Sequence, residues 1–183
     1  MTRPVADKDA LRTFIRARRA AMTDDQRSAA RSAIREHVLT YLTALDLPPG
    51  STVAGYEPLR SEPGSVDLLA GLSAAGHRVL VPITLPDRDL DWHALDDPRP
   101  LGLDSIGDAA VVLLPAFAVD REGNRLGRGG GSYDRVLARL SSGTHTAALL
   151  FTGELVDRLP VEAWDRAVRA AVTPAGWLDL PTR

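Results

Sequence analysis

The run Ala109–Val119, "AAVVLLPAFAV", is apolar throughout and limits what can surround it. A strand with one face in water alternates apolar and polar residues, whereas a near-continuous apolar strand suits the centre of a parallel sheet covered on both faces. The segment that follows, "DREGNRLGRGGGSYDRVL" (Asp120–Leu137), sets three consecutive glycines among Arg125, Arg128 and Arg135, then passes into an amphipathic pattern. Strand, glycine loop and helix are therefore expected in succession.

The flanking sequence extends this alternation. Residues 7–21 repeat apolar positions at helical spacing (Leu11, Phe14, Ile15), and "TDDQ" at Thr23–Gln26 has the form of a capping box. The second helix turns Ile34, Val38, Tyr41, Leu42 and Leu45 inward and stops at "PPG". Then come a strand "STVAGYEPL", a helix "VDLLAGLSAAGH", a strand "RVLVPIT" and an alternating strand "DLDWHAL". Beyond the glycine loop follow the helix "SYDRVLARL", a strand "TAALLF", a helical turn near "ELVDRL" and a last strand near "RAAVTP". The pattern predicts an α/β fold: a single domain over residues 1–183, with an open, mainly parallel sheet, helices on both faces and two N-terminal helices. A chain of 183 residues, 44% hydrophobic, is long enough to build that core.

Composition excludes several classes. Lys and Arg (22) nearly balance Asp and Glu (24), so no general attraction to nucleic acid or to an anionic membrane is expected, and any basic site is local. There is no Cys, which removes disulfides, thiolate catalysis and cysteine zinc sites. The N-terminus lacks the apolar stretch of a signal peptide, and Ala109–Val119 is too short to span a bilayer. A soluble, cytoplasmic monomer is expected.

Three adjacent glycines are costly to order, and bare backbone is useful where an anion must approach closely. A glycine loop entering a helix also offers N–H groups and the positive end of a helix dipole. The run alone suits a surface turn as well as a phosphate cradle, and it fits neither G-x-x-x-x-G-K-[ST] nor G-x-G-x-x-G. Arg125 and Arg128 favour the cradle, because a structural turn has no need of planar, permanent cations. On the first helix Lys8, Arg12, Arg16 and Arg19 form one stripe, read either as a solvated face or as a surface neutralised by a polyanion such as ATP. His37, His77, His93 and His145 have no helical partner for metal binding, and no Ser-His-Asp grouping is readable. Trp92, Trp164 and Trp177 read as core or rim residues.

The segment "LPAFAVDREGNRLGRGGGSYDRVL" closely resembles the 5-formyltetrahydrofolate cyclo-ligases, whose signature runs P-G-x-x-F-D and then R-L-G-R-G-x-G-Y-Y-D. The similarity extends to "KDALR", "YEPLRSEPGS" and "LPVEAWDRAVRAAVTP". It implies that ATP is held by Lys8 and Arg12 and, from the loop, by Arg125, Gly127, Arg128, Gly129, Gly130, Gly131, Ser132 and Tyr133. It further implies that Asp134 and Asp165 serve Mg2+, that Tyr56, Glu57, Glu62 and Tyr133 face the folate, and that Arg128, Tyr133 and Asp134 act in catalysis. Three positions depart from the pattern: Ser132 replaces the first of two tyrosines, Ala116 a glycine, and Arg169 an acid.

The implied reaction is ATP- and Mg-dependent cyclisation of 5-formyltetrahydrofolate to 5,10-methenyltetrahydrofolate, with release of ADP and phosphate. Such chemistry asks the protein for alignment and charge stabilisation rather than for a nucleophile. Two other readings stay open at this level. One is a non-catalytic relative that binds nucleotide, folate or RNA, the last disfavoured by the charge balance; the other is a sugar-phosphate isomerase or a similar phosphate-loop enzyme.

Overall fold

A computed structural model of the chain describes residues 7–181; residues 1–6 and 182–183 of the expected span lie outside the described residues. Two helices lead, α1 (Lys8–Ala21) and α2 (Asp24–Ala44), followed by β1 (Thr52–Ala54), α3 (Val66–Ala74), β2 (Arg78–Thr84), β3 (Leu90–Ala94) and a 3-10 turn at Leu103–Asp108. Next come β4 (Val111–Pro115), β5 (Ala118–Asp120), β6 (Arg125–Leu126), α4 (Ser132–Arg139), β7 (His145–Leu149), β8 (Leu155–Val156), β9 (Ala170–Thr173) and β10 (Gly176–Asp179). The capping box forms: Thr23 Oγ1 accepts the Gln26 N–H at 3.1 Å, and Gln26 Oε1 accepts the Thr23 N–H at 2.9 Å. Among the described residues no helix is long and apolar enough to cross a membrane.

The main sheet has seven strands in the order β10-β9-β7-β4-β1-β2-β3. Strands β9, β7, β4, β1 and β2 run parallel, and β10 and β3 close the two edges antiparallel. Successive residues face opposite sides, so Val53, Val79, Val81, Val111 and Leu113 meet Ile34, Val38 and Leu42 of α2 and Leu68, Leu69 and Leu72 of α3. Their neighbours Ala54, Leu80, Val112 and Leu114 meet Ile106 of the 3-10 turn and Val136 of α4. Both faces are dry, which is why the central strand carries no alternation.

Two expectations are corrected. The apolar run is not one strand, because the chain changes sheets after Pro115. Proline supplies no N–H to continue the ladder, the Ala116 carbonyl accepts from Arg19, and the Phe117 N–H turns to Leu126 O at 2.7 Å, opening a second sheet of order β6-β5-β8. The "ELVDRL" segment is not a helical turn. Its start is drawn out as β8 beside β5, where Glu154 O accepts the Val119 N–H and Asp120 accepts the Leu159 N–H.

The α1 helix crosses the second sheet. Ile15 is buried against Phe117, Ala118, Leu126 and Leu159, with Leu11 beside them, but Phe14 is 58% exposed. Arg19 takes the interior position instead, 3% exposed, donating to both Glu154 oxygens at 2.7 and 2.8 Å and to Ala116 O at 2.7 Å. Glu154 is completed by the Phe151 N–H at 2.8 Å. At the other end of the main sheet, Asp89 in the β2–β3 hairpin accepts from Arg139 of α4 at 2.8 and 2.6 Å and from the Leu90 N–H. Those Arg139 bonds outweigh the effect of burial and, with the Leu90 bond and the charges of Arg139 and Arg135, hold the Asp89 carboxyl down from 3.8 to about 2.

Removing one partner of a buried pair strands the other charge, so Glu154→Ala is expected to lower unfolding free energy in urea by about 3–5 kcal/mol. A loss under about 1 kcal/mol, the range of exposed pairs, would show that Arg19 reaches water. For Asp89 the folded-state pKa is depressed, so its stabilisation is full above 3.8 and lost as pH falls through about 2. Acid titration of the circular dichroism signal is expected to show the parent losing more stability over that window than Asp89→Asn, which starts lower; equal losses would detach Asp89 from the acid limb.

Candidate functional site

The glycine run is positioned by a buried carboxylate. Asp120, fully buried, accepts the N–H groups of Glu122, Asn124 and Leu159 and the Asn124 side-chain amide, all at 2.8–3.0 Å, and so fixes the turn that returns the chain through β6. The backbone then passes through positive φ at Gly129 (95°) and Gly131 (68°), a region that strains residues with a Cβ. Gly131 caps α4 without a side-chain bond, so the first-turn N–H groups and the positive end of the helix are left for an external anion.

Around this loop lies a cavity of about 530 Å³, and every site residue expected from the sequence lines it: Lys8, Arg12, Tyr56, Glu57, Glu62, Arg125, Gly127 to Asp134 and Asp165. Lys8 joins α1 to the loop before β9, donating to Asp165 at 2.8 Å and Glu162 at 3.0 Å. Burial disfavours its ammonium, but the bonds to Asp165 and Glu162 and their charges prevail and raise its pKa. Arg12 donates from Nε to Gly127 O at 2.8 Å and pairs with Asp9. Arg125, its side chain 5% exposed, donates to Asp134 Oδ1 at 3.0 Å and lies 5.9 Å from the Tyr133 ring centre, while its Nε is buried with no partner among the described residues. Asp134 Oδ1 also accepts the Arg166 N–H at 3.1 Å, which brings it beside the backbone of Asp165.

The opposite wall belongs to Glu62, 6% exposed. One carboxylate oxygen accepts Arg128 Nη2 at 2.9 Å and the other accepts the Leu59 N–H at 2.9 Å. Sequence reasoning missed what holds this loop: Arg31 of α2 donates to the carbonyls of Leu59, Arg60 and Glu62. An arginine on the polar side of an amphipathic helix gives no sign in sequence that it ties down a loop elsewhere. Tyr56 is buried, and its hydroxyl accepts the Gly64 N–H at 3.1 Å. Burial pushes the phenols of Tyr56 and Tyr133 up from their ordinary value, which favours the protonated form of both. Glu57 is exposed at the cavity mouth.

The stripe on α1 divides in use. Lys8 and Arg12 meet the cavity, Arg16 lies over the Phe117 ring, and Arg19 is the buried partner of Glu154. Of the three departures, Ala116 has no positive φ and offers its carbonyl to Arg19, Ser132 opens α4 at the cavity wall, and Arg169 is exposed outside it. Trp92 is core, Trp177 stacks on Tyr41 at 3.7 Å, and Trp164 is 67% exposed at the cavity rim.

An anion fits this arrangement, given an uncapped helix end, a buried orphan Arg125 Nε and cations on both sides of the loop. Among the described residues no group of three or more His, Asp or Glu could hold a metal ion alone. Asp134 and Asp165 both line the cavity, paired with Arg125 and Lys8, and one or two carboxylates completed by phosphate oxygens and water form a shell of the kind Mg2+ takes.

Comparison with known proteins gives a consistent family. The family model described as the 5-formyltetrahydrofolate cyclo-ligase family matches residues 4–174. The 5-formyltetrahydrofolate cyclo-ligase of Mycolicibacterium smegmatis is 37% identical over 178 residues, covering 85% of this chain and 91% of that protein. The enzyme of the same name from Escherichia coli K12 is 30% identical over 183 residues, covering 88% and 97%. Among solved structures, the 5,10-methenyltetrahydrofolate synthetase of Mycoplasma pneumoniae superposes with a TM-score of 0.80 at 23% identity, covering 92% of this chain and 99% of that one. That of Aquifex aeolicus gives 0.73 at 24% identity, covering 96% and 94%.

Proposed function

Because the chain belongs to the 5-formyltetrahydrofolate cyclo-ligase family, we propose that it closes 5-formyltetrahydrofolate to 5,10-methenyltetrahydrofolate at the expense of ATP, with Mg2+. The observation that carries this reading is the meeting, in one cavity, of the uncapped α4 terminus and its cations with the carboxylate of Glu62.

A formamide carbon is a poor electrophile, so ring closure needs its oxygen made into a leaving group. The formyl oxygen takes the γ-phosphoryl group of ATP and ADP departs; N10 of the same substrate then attacks the formyl carbon, the C–O bond breaks, and phosphate leaves with the N10 proton. Both nucleophiles belong to the substrate, which is why a site without Cys and with protonated phenols suffices. Lys8, Arg12 and Arg125, with the N–H groups of Gly129 to Tyr133, hold the nucleotide phosphates. Arg128 lies within the run, where it meets the charge that develops on the transferring phosphoryl group. Glu62, fixed by Arg31 and the Leu59 N–H, offers carboxylate oxygens to the N–H edge of the pterin, with Tyr56, Glu57 and Tyr133 beside it. Asp134 and Asp165 hold Mg2+, which screens the phosphate charge when bound.

Mixing the protein with 5-formyltetrahydrofolate is expected to give methenyl absorbance only when Mg-ATP is present; equal conversion without ATP, or none with it, would overturn the assignment. Asp134→Asn keeps shape and removes charge, so it is expected to leave the protein folded, abolish most turnover and raise the Mg2+ concentration needed for the remainder. An unchanged Mg2+ dependence would reduce Asp134 to the partner of Arg125 and the first-turn acid of α4.

A further inference from the structure

Among the described residues six cationic side chains line the cavity, and five are spoken for: Lys8 by Asp165 and Glu162, Arg12 by Asp9, Arg19 by Glu154, Arg125 by Asp134 and Arg128 by Glu62. The sixth is Arg88. Among the described residues its guanidinium has no hydrogen-bond or ion-pair partner, and the residue is exposed. Its backbone is also in an unusual state, with φ at 67°, in a region that residues with a side chain rarely adopt. The β2–β3 turn imposes this conformation: the Arg88 N–H donates to Leu85 O, the Leu85 N–H to Asp89 O, and Asp87 Oδ1 accepts the Asp89 N–H, all at 2.9 Å. Arg135 and Arg139 of α4 tie the same turn down through Asp87 O and the Asp89 carboxylate. Glycine would fill this position without strain, so Arg88→Gly removes the side chain without opposing the backbone.

The direction of that side chain identifies what it meets. A Cβ placed on Gly129 would lie 3.5 Å from Arg12 Nη2, whereas one on Gly130 would lie 3.4 Å from Arg88 Cδ. Arg12 and Arg88 therefore reach different residues of the glycine run, Arg12 from α1 and Arg88 from the β2–β3 hairpin. The Arg12 side, shared with Lys8 and Asp165, is the nucleotide side in the reading above, and this inference rests on that reading. The Arg88 side is formed by the hairpin residues Pro82, Thr84 and Leu90, a less polar wall suited to a flat aryl group. A reduced folate carries anionic charge at one place, the carboxylates of its glutamyl tail beyond the aminobenzoyl ring.

We propose that Arg88 is a specificity-determining residue that binds the glutamyl carboxylates of the folate substrate. The test compares the parent with Arg88→Gly, a change the backbone accepts, using 5-formyltetrahydrofolate, its triglutamyl form and the primary amide of 5-formyltetrahydropteroate, which lacks glutamate and carries no carboxylate. Binding is read by titration calorimetry without ATP, separately from turnover. The parent is expected to bind both glutamylated forms more tightly than the pteroate amide. Arg88→Gly is expected to weaken them about tenfold, as for one charge-assisted contact, while its pteroate-amide and ATP affinities and its melting temperature are not lowered. A parent that binds the pteroate amide equally well, or a variant that loses ATP affinity instead, overturns the proposal. Folate binding of the expected pattern without turnover would sustain Arg88 and sink the cyclo-ligase reading, whereas turnover with no selective loss in Arg88→Gly does the reverse.

Discussion

The geometry of the cavity depends on one charge pair taken out of water. Arg19 and Glu154 are both almost fully buried, and each is saturated by further backbone partners, Ala116 O and the Phe151 N–H. Such a pair adds little net stability over apolar side chains of equal size, but it permits one arrangement and penalises the others, because a misplaced partner leaves a bare charge inside. What it specifies here is where α1 lies. The helix has a narrow apolar face, with Ile15 buried and Phe14 left in water, so hydrophobic burial alone would not fix its direction along the second sheet. With Arg19 locked, Arg12 lands on Gly127 O and Lys8 on Asp165.

Much of this was legible in the sequence, and what was not has a physical cause. The capping box and the glycine run before a helix are local patterns, written within a few residues, and each was found where expected, whereas the parallel centre occupies only the first half of the apolar run. The change of sheets at Pro115 was hidden because the residues on either side are equally apolar and serve two different cores. Strand β8 was missed because its extended form is imposed by β5 and by Asp120, not by its own residues. The short strand β6 and the edge strand β10 likewise depend on partners far along the chain. For the site, the resemblance named residues that composition and spacing could not have grouped, such as Lys8 and Asp165, 157 positions apart. It did not reach Arg31, which secures the Glu62 loop through carbonyls, nor the strained Arg88.

The division of labour on α1 shows how a single pattern can hold two purposes. Four cations at helical spacing read as one stripe, yet Arg19 is structural, Arg16 packs over an aromatic ring, and only Lys8 and Arg12 stand beside the glycine run. Adjacent turns of one helix thus answer to different neighbours.

The pairing of cations with carboxylates inside the cavity has a consequence for how ligands arrive. Lys8, Arg12, Arg125 and Arg128 each hold an acidic partner, so apart from Arg88 these cations of the wall carry their own counterions and add little net field toward the solvent. With a formal net charge of -2 on the whole chain, nothing draws a polyanion in from a distance. On the proposed function, binding would proceed by exchange: an arriving phosphate would take over the donors of an internal acid, and the released carboxylate would be free to ligate the cation that travels with it. Encounter with such a mouth is then expected to follow diffusion and fit, with little dependence on dissolved salt.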